Sequence, residues 1–127
     1  MRKALWIVQV LLAVFSLLAG ISHGVIPLEE AVKSAPWVTS VSPVLVRFIG
    51  WCEIAGAVGL TLPAATRILP WLTPLAAALL ALLMVLAAGF HVMRGEPRII
   101  PMHLTVAALA LFVAWGRPAR APISSRG

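Results

Sequence analysis

Four charge-poor apolar stretches fill this chain, each long enough to cross a lipid bilayer. The first runs from about Ala4 to Ile21, the second from Val44 to Leu62, the third from Trp71 to Met93 and the fourth from about Ile99 to Trp115. A hydrocarbon core about 30 Å thick takes roughly 20 residues of helix, at about 1.5 Å per residue. A backbone in lipid must satisfy its own hydrogen bonds, so segments of this kind form helices. Hydrophobic residues make up 61% of the 127 positions and charged residues 11%, and the mean hydropathy is +1.03, far from the soluble range. The expected fold is therefore all-α, an integral membrane four-helix bundle in a single transmembrane domain over 1–127. No length remains for a separate soluble domain.

Prolines punctuate the stretches. Pro43, Pro63, Pro70, Pro97 and Pro118 are expected at span edges, where a missing N–H does least harm, and Pro74 and Pro101 in first turns of helices. The longest connector, 24–43, contains Val25–Pro36, which has the pattern of one or two helical turns at the interface. Glu29 and Lys33 are spaced there as an i, i+4 pair, and Trp37 is expected among headgroups. The first stretch is longer than the apolar region of a signal peptide, and Ser22-His23-Gly24 matches a cleavage site poorly, so it is expected to be a retained helix.

Basic residues suggest the orientation. With both termini cytoplasmic, Arg2, Lys3, Arg67, Arg117, Arg120 and Arg126 lie inside. Lys33, Arg94 and Arg98 then lie outside, and Arg47 sits near the outer rim. Trp6, Trp71 and Trp115 would then form a belt at the inner interface of an inner (cell) membrane. The net charge of +6 flanks the spans and forms no single stripe, so the expected partner is the lipid bilayer and not nucleic acid.

Against this apolar background Glu53 stands out. An ionisable group at membrane depth usually faces a bundle interior and marks a site. On its helix Glu53 shares a face with Gly50, Gly56 and Ala57, small residues that let another helix approach. Running the helices up and down brings His23, Arg47, His91 and His103 into the outer half, which predicts an outward-facing polar pocket closed below by Leu and Ala packing. Arg47 is six residues from Glu53, about 120° round the helix and about 9 Å along it, so it is expected to snorkel outward. His23, His91 and His103 are the candidate partners of Glu53 at a ligand or proton site. The plainer readings are a helix–helix hydrogen bond for Glu53 and water-facing rim residues for the histidines.

Cys52 is the only cysteine. A single cysteine excludes a thiol-pair mechanism or a cysteine-based metal site within the chain, and Cys52 is expected as a small packing residue. His91 and His103 could ligate a haem or metal only with a further ligand, so haem is disfavoured and no metal site is assigned. The phosphate-cradling glycine loop, the metalloprotease helix motif and the nucleophile elbow are all missing, and no catalytic residue is assigned.

Three segments then carry a family resemblance: Gly50-Trp-Cys-Glu53-Ile-Ala-Gly56-Ala-Val-Gly59-Leu60 with Leu62-Pro63, Pro70-Trp-Leu-Thr-Pro74, and Ala87-Ala-Gly-Phe-His91-Val-Met-Arg94-Gly-Glu96. Together they resemble the DoxX-like group of small bacterial membrane proteins. The resemblance implies four membrane helices and a link to quinone-coupled sulfur oxidation or to membrane redox complexes handling oxidative stress. It supports Glu53, the glycines around it and His91 as family-typical positions. The leading expectation is a membrane component of a redox or stress-linked assembly, quinone-facing, working with a redox-protein partner or as a homo-oligomer and without independent catalysis. The alternatives are a small proton-coupled transporter and a membrane chaperone or scaffold. The absence of Tyr, with Trp51 alone thin support for a cation cage, counts against the transporter.

Overall fold

The computed structural model describes residues 1–126, and among these the regular structure is entirely helical. Helix α1 spans Arg2–Gly24 and α2 Leu28–Ser34, followed by a 3₁₀ turn at Pro36–Ser40. Helix α3 spans Pro43–Thr66 and α4 Leu72–Met93; a second 3₁₀ turn, Pro97–Ile99, leads into α5, Ile100–Ala119. Four of these helices, α1, α3, α4 and α5, are long and apolar enough to cross a membrane.

The four long helices pack in chain order, α1 on α3, α3 on α4, α4 on α5, with α5 returning to α1. Leu5, Leu12, Leu60, Leu80, Met84, Val106 and Val113 form the shared core. At most 33% of each span's apolar window is buried. The outward Leu, Val and Phe side chains, such as Leu18, Phe48 and Leu86, remain for lipid. Because successive helices alternate in direction, both termini lie at one end of the molecule, here the terminal end. The α2 segment and first 3₁₀ turn cover the other, the connector end.

The closest approach is between α1 and α3. A Cβ built on Gly50 would lie 2.2 Å from the Gly24 nitrogen, and one on Gly20 would lie 2.7 Å from the Gly50 oxygen. Only glycine permits backbone contact of this kind. Gly50 therefore does what its place beside Glu53 suggests, and Ala57 is buried on the same face. Gly56 does not. A Cβ there would meet nothing within 4 Å, so Gly56 faces open space and not a neighbouring helix.

Other expectations need correction. Pro63 and Pro118 lie inside helices α3 and α5, not at their edges. Pro63 removes the N–H that would bond the Gly59 carbonyl; the Thr73 hydroxyl of α4 donates to that carbonyl instead, at 3.0 Å. Helix α3 thus continues to Thr66 and ends at Arg67, which takes the left-handed conformation with φ 60°. Arg47 does not snorkel outward. Its guanidinium donates to the His23 and Ile26 carbonyls at 3.2 and 2.8 Å, neutralising the unpaired carbonyl end of α1. Lys33 pairs with Glu30 at 3.1 Å, and not with Glu29, on an exposed face where such pairs contribute little.

Candidate functional site

The connector end gathers the sequence-derived candidates into one cavity. His23 comes from the last turn of α1, Glu53 from the middle of α3, His91 from the last turn of α4 and His103 from the first turn of α5. Glu53 is only 6% exposed, and its Oε2 lies 3.1 Å from His23 Nδ1. Of the three candidate partners, His23 is therefore the one that meets the carboxyl. The α1–α3 glycine contact holds the two helices close enough for this pair to form.

His91 and His103 form a second pair, their ring centroids 5.0 Å apart. His103 Nδ1 is 3.0 Å from the Ile99 carbonyl, and a carbonyl only accepts, so Nδ1 carries the hydrogen and Nε2 is left free of this bond. His91 Nδ1 is 3.0 Å from Glu96 Oε1, which fixes that ring in the same sense. Glu96 also accepts from Arg94 Nε at 2.5 Å. The Arg94 hydrogen bond, and then that of His91, hold the Glu96 carboxyl below the ordinary carboxylate range. Arg94 also donates to the Ser40 hydroxyl, tying the first 3₁₀ turn to the end of α4.

That turn brings in a residue with a different role from the one expected. Trp37 packs edge-on against His23, with centroids 5.0 Å apart, and against Phe90 at 6.2 Å. It covers the histidine pocket as well as facing the connector surface. The cavity beneath has a volume of about 330 Å³ and is lined by Glu53, His23, His91 and His103, with apolar walls that include Ile49, Leu83 and Ala87. A second groove of about 460 Å³ between α3 and α4 shares Phe48, Glu53, Leu83 and Leu86 with it. Glu53 stands where the two meet. Gly56 lines this groove, as does Cys52, which is exposed there and not packed within the core. Among the described residues no three His, Cys, Asp or Glu side chains converge to hold a metal ion.

The opposite end is not closed by Leu and Ala alone, as expected. Gln9 is fully buried and Arg117 is 2% exposed. The Gln9 amide donates to the Leu60 carbonyl at 2.7 Å, and its oxygen accepts from Arg117 Nε. The pair was legible in part. Gln9 lies seven residues before Ser16, two turns along the same small and polar stripe that leads to Gly20 and His23. Arg117 gave no such signal, because its place beyond the fourth apolar stretch reads as an ordinary flanking cation.

A chain with four apolar spans and a polar cavity cut into one end of their packing is a multi-pass membrane protein. The model of the DoxX-like family matches residues 7–113, and the chain belongs to that family. No curated protein and no solved structure matches it.

Proposed function

We propose that the chain is a single-domain, four-helix bundle of the inner membrane with both termini cytoplasmic, and that its connector-end cavity binds the head of a lipophilic quinone. On this reading it is the membrane component of a redox or oxidative-stress assembly. The basic residues at the terminal end, Arg2, Lys3, Arg67, Arg117, Arg120 and Arg126, favour the orientation by the positive-inside rule. The observation that carries the ligand is the pairing of two polar sites, Glu53 with His23 and His91 with His103, around a cavity whose remaining walls are apolar.

The donor set fits such a head. A quinone presents two carbonyl oxygens on a flat ring and carries a long apolar tail. His23 Nε2–H can donate to a carbonyl oxygen while its Nδ1 accepts from a protonated Glu53. The free Nε2 atoms of His91 and His103 can accept from the hydroxyls of the reduced head. Trp37 and Phe90 offer aromatic faces, and the α3–α4 groove gives the tail a path toward lipid. A bound quinone supplies two-electron, two-proton chemistry. The chain's own part is to orient the head, exclude water behind Trp37 and hold a proton on the Glu53–His23 pair, while a partner protein supplies electrons. Catalysis by this chain alone is not part of the proposal.

The test is an absorption spectrum and lipid-extract mass spectrometry on protein purified gently from its native membrane, beside the Glu53→Gln variant. A stoichiometric quinone in the wild type that is lost from the variant is the expected result. Quinone-free protein of normal yield would overturn the reading. Cysteine labelling at positions 23, 91 and 103 in a Cys52→Ser background tests the orientation, which fails if all three react only from the cytoplasm.

A further inference from the structure

Arg117 has no part in the connector-end cavity, and its surroundings pose a separate problem of charge. A guanidinium stays protonated at any physiological pH, so burial leaves it charged. The groups that it contacts directly are neutral. Nε donates to Gln9, Nη1 lies 3.4 Å from the Ala121 carbonyl, and the guanidinium sits 4.9 Å from the centre of the Trp6 ring. Among the described residues Nη2 is buried without a hydrogen-bond partner. A buried cation with an unused donor and no counter-ion among the described residues is costly.

The counter-ion is not an acidic side chain of this protein. Its four acidic residues are Glu29, Glu30, Glu53 and Glu96. Two are in α2, one is at the middle of α3 and one follows α4, so all lie away from the terminal end. What surrounds Arg117 instead is more positive charge. With Arg2, Arg67 and Trp6 it lines a cavity of about 230 Å³, closed on one side by Ile123 and Ser124. No ion pair among the described residues involves Arg2 or Arg67.

We propose that this cavity binds a phosphate group, with the Arg2, Arg67 and Arg117 guanidiniums that line it as donors. Arginine forks match phosphate oxygens geometrically, and charge-assisted bonds to them are among the strongest available. The favoured source is the headgroup of an anionic phospholipid. Trp6, Trp71 and Trp115 lie at the same end, and such rings sit at headgroup level, where basic pockets between membrane helices take anionic lipids. Free phosphate offers the same chemistry from the aqueous side. Either occupant would supply the charge that the fold leaves unmatched.

The experiment uses the full chain in a neutral detergent, titrated with phosphatidylglycerol, with phosphatidylcholine, and with inorganic phosphate against chloride at equal ionic strength. Thermal melting and native mass spectrometry are read together. Phosphatidylglycerol should raise the melting temperature saturably and be retained, and phosphatidylcholine should do neither. Arg67→Gln should weaken the apparent affinity about tenfold, the size of one charge-assisted hydrogen bond, and Arg117→Gln should weaken it at least as much. A saturable shift with inorganic phosphate and none with the lipid would keep the site and assign it to soluble phosphate. No saturable shift with either, or unchanged affinity in Arg67→Gln, would overturn the proposal. Arg67 is exposed and outside the Gln9–Arg117 pair, so its variant decides the matter even where Arg117→Gln fails to fold.

Discussion

The two ends of the molecule hide polar groups in an apolar fold in opposite ways. At the connector end the buried carboxyl of Glu53 meets a titratable partner, His23, on the neighbouring helix, and a roomy cavity with apolar walls opens beside the pair. At the terminal end the buried guanidinium of Arg117 meets only neutral groups, in a cavity ringed by further arginines. The first end thus gives its buried carboxyl a hydrogen-bonding partner from within the chain. The second gives its buried guanidinium no ion-pair partner among the described residues, so its charge is matched by the surrounding polar groups or by an ion from outside. On the two proposals above, the first end takes a quinone head and the second an anion.

Breaking each end in turn tests that contrast. The largest effect is expected from Gln9→Leu, which removes both the Leu60 bond and the acceptor for a buried cation. It should lower stability by about 3 kcal/mol, measured by reversible unfolding in mixed detergent micelles. A loss below about 1 kcal/mol would mean that Gln9 carries little of the Arg117 charge. Next comes Gly50→Ala, whose new Cβ would collide with the Gly24 backbone. A loss of about 2 kcal/mol is expected, together with weakened contact between His23 and Glu53. Gly56→Ala, where the space is open, should change stability by less than about 0.5 kcal/mol and serves as its control.

His23→Leu should cost about 1 kcal/mol, the usual size of a hydrogen bond between membrane helices, and so less than Gln9→Leu at the other end. Equal losses would remove the distinction between an end whose buried carboxyl has a side-chain partner of opposite type and one whose buried cation has only neutral contacts. The smallest effect concerns pH. Hydrogen bonds from Arg94 and then His91 hold the Glu96 carboxyl below its ordinary value of 4.5. A carboxyl lowered in the folded state stabilises above its unfolded value, and that contribution disappears as pH falls through the lower folded value. Melting temperature should therefore drop on the acid side of about pH 4.5. Glu96→Gln should flatten this acid limb, and an unchanged limb would show that the Arg94–Glu96–His91 link carries no stability.

Much of the connector end was legible in the sequence. Helical phase put Glu53 on the face of Gly50 and Ala57, and alternating helix direction put His23, His91 and His103 at one level, because both follow from a fixed rise and turn per residue. Phase alone did not say which histidine meets Glu53, nor that Trp37 folds over the pocket. Those depend on how closely α1 and α3 cross and on the path of a connector whose turns the sequence left open. The terminal end was harder to read. The fate of Arg117 depends on whether α5 stops at the edge of the apolar stretch or runs on past Pro118, and hydropathy marks the stretch but not the end of the helix.

By itself the sequence determined the helical class, the four long apolar segments, the lipid-facing composition and the excess of basic residues beside the termini. These follow from local hydropathy and from the need of each backbone segment to close its own hydrogen bonds. The tertiary structure decided the partners: Thr73 for the carbonyl left by Pro63, the end of α1 for Arg47, His23 for Glu53 and Gln9 for Arg117. Each is a contact between residues distant in the chain, set by crossing geometry over a few ångströms, which no local pattern encodes.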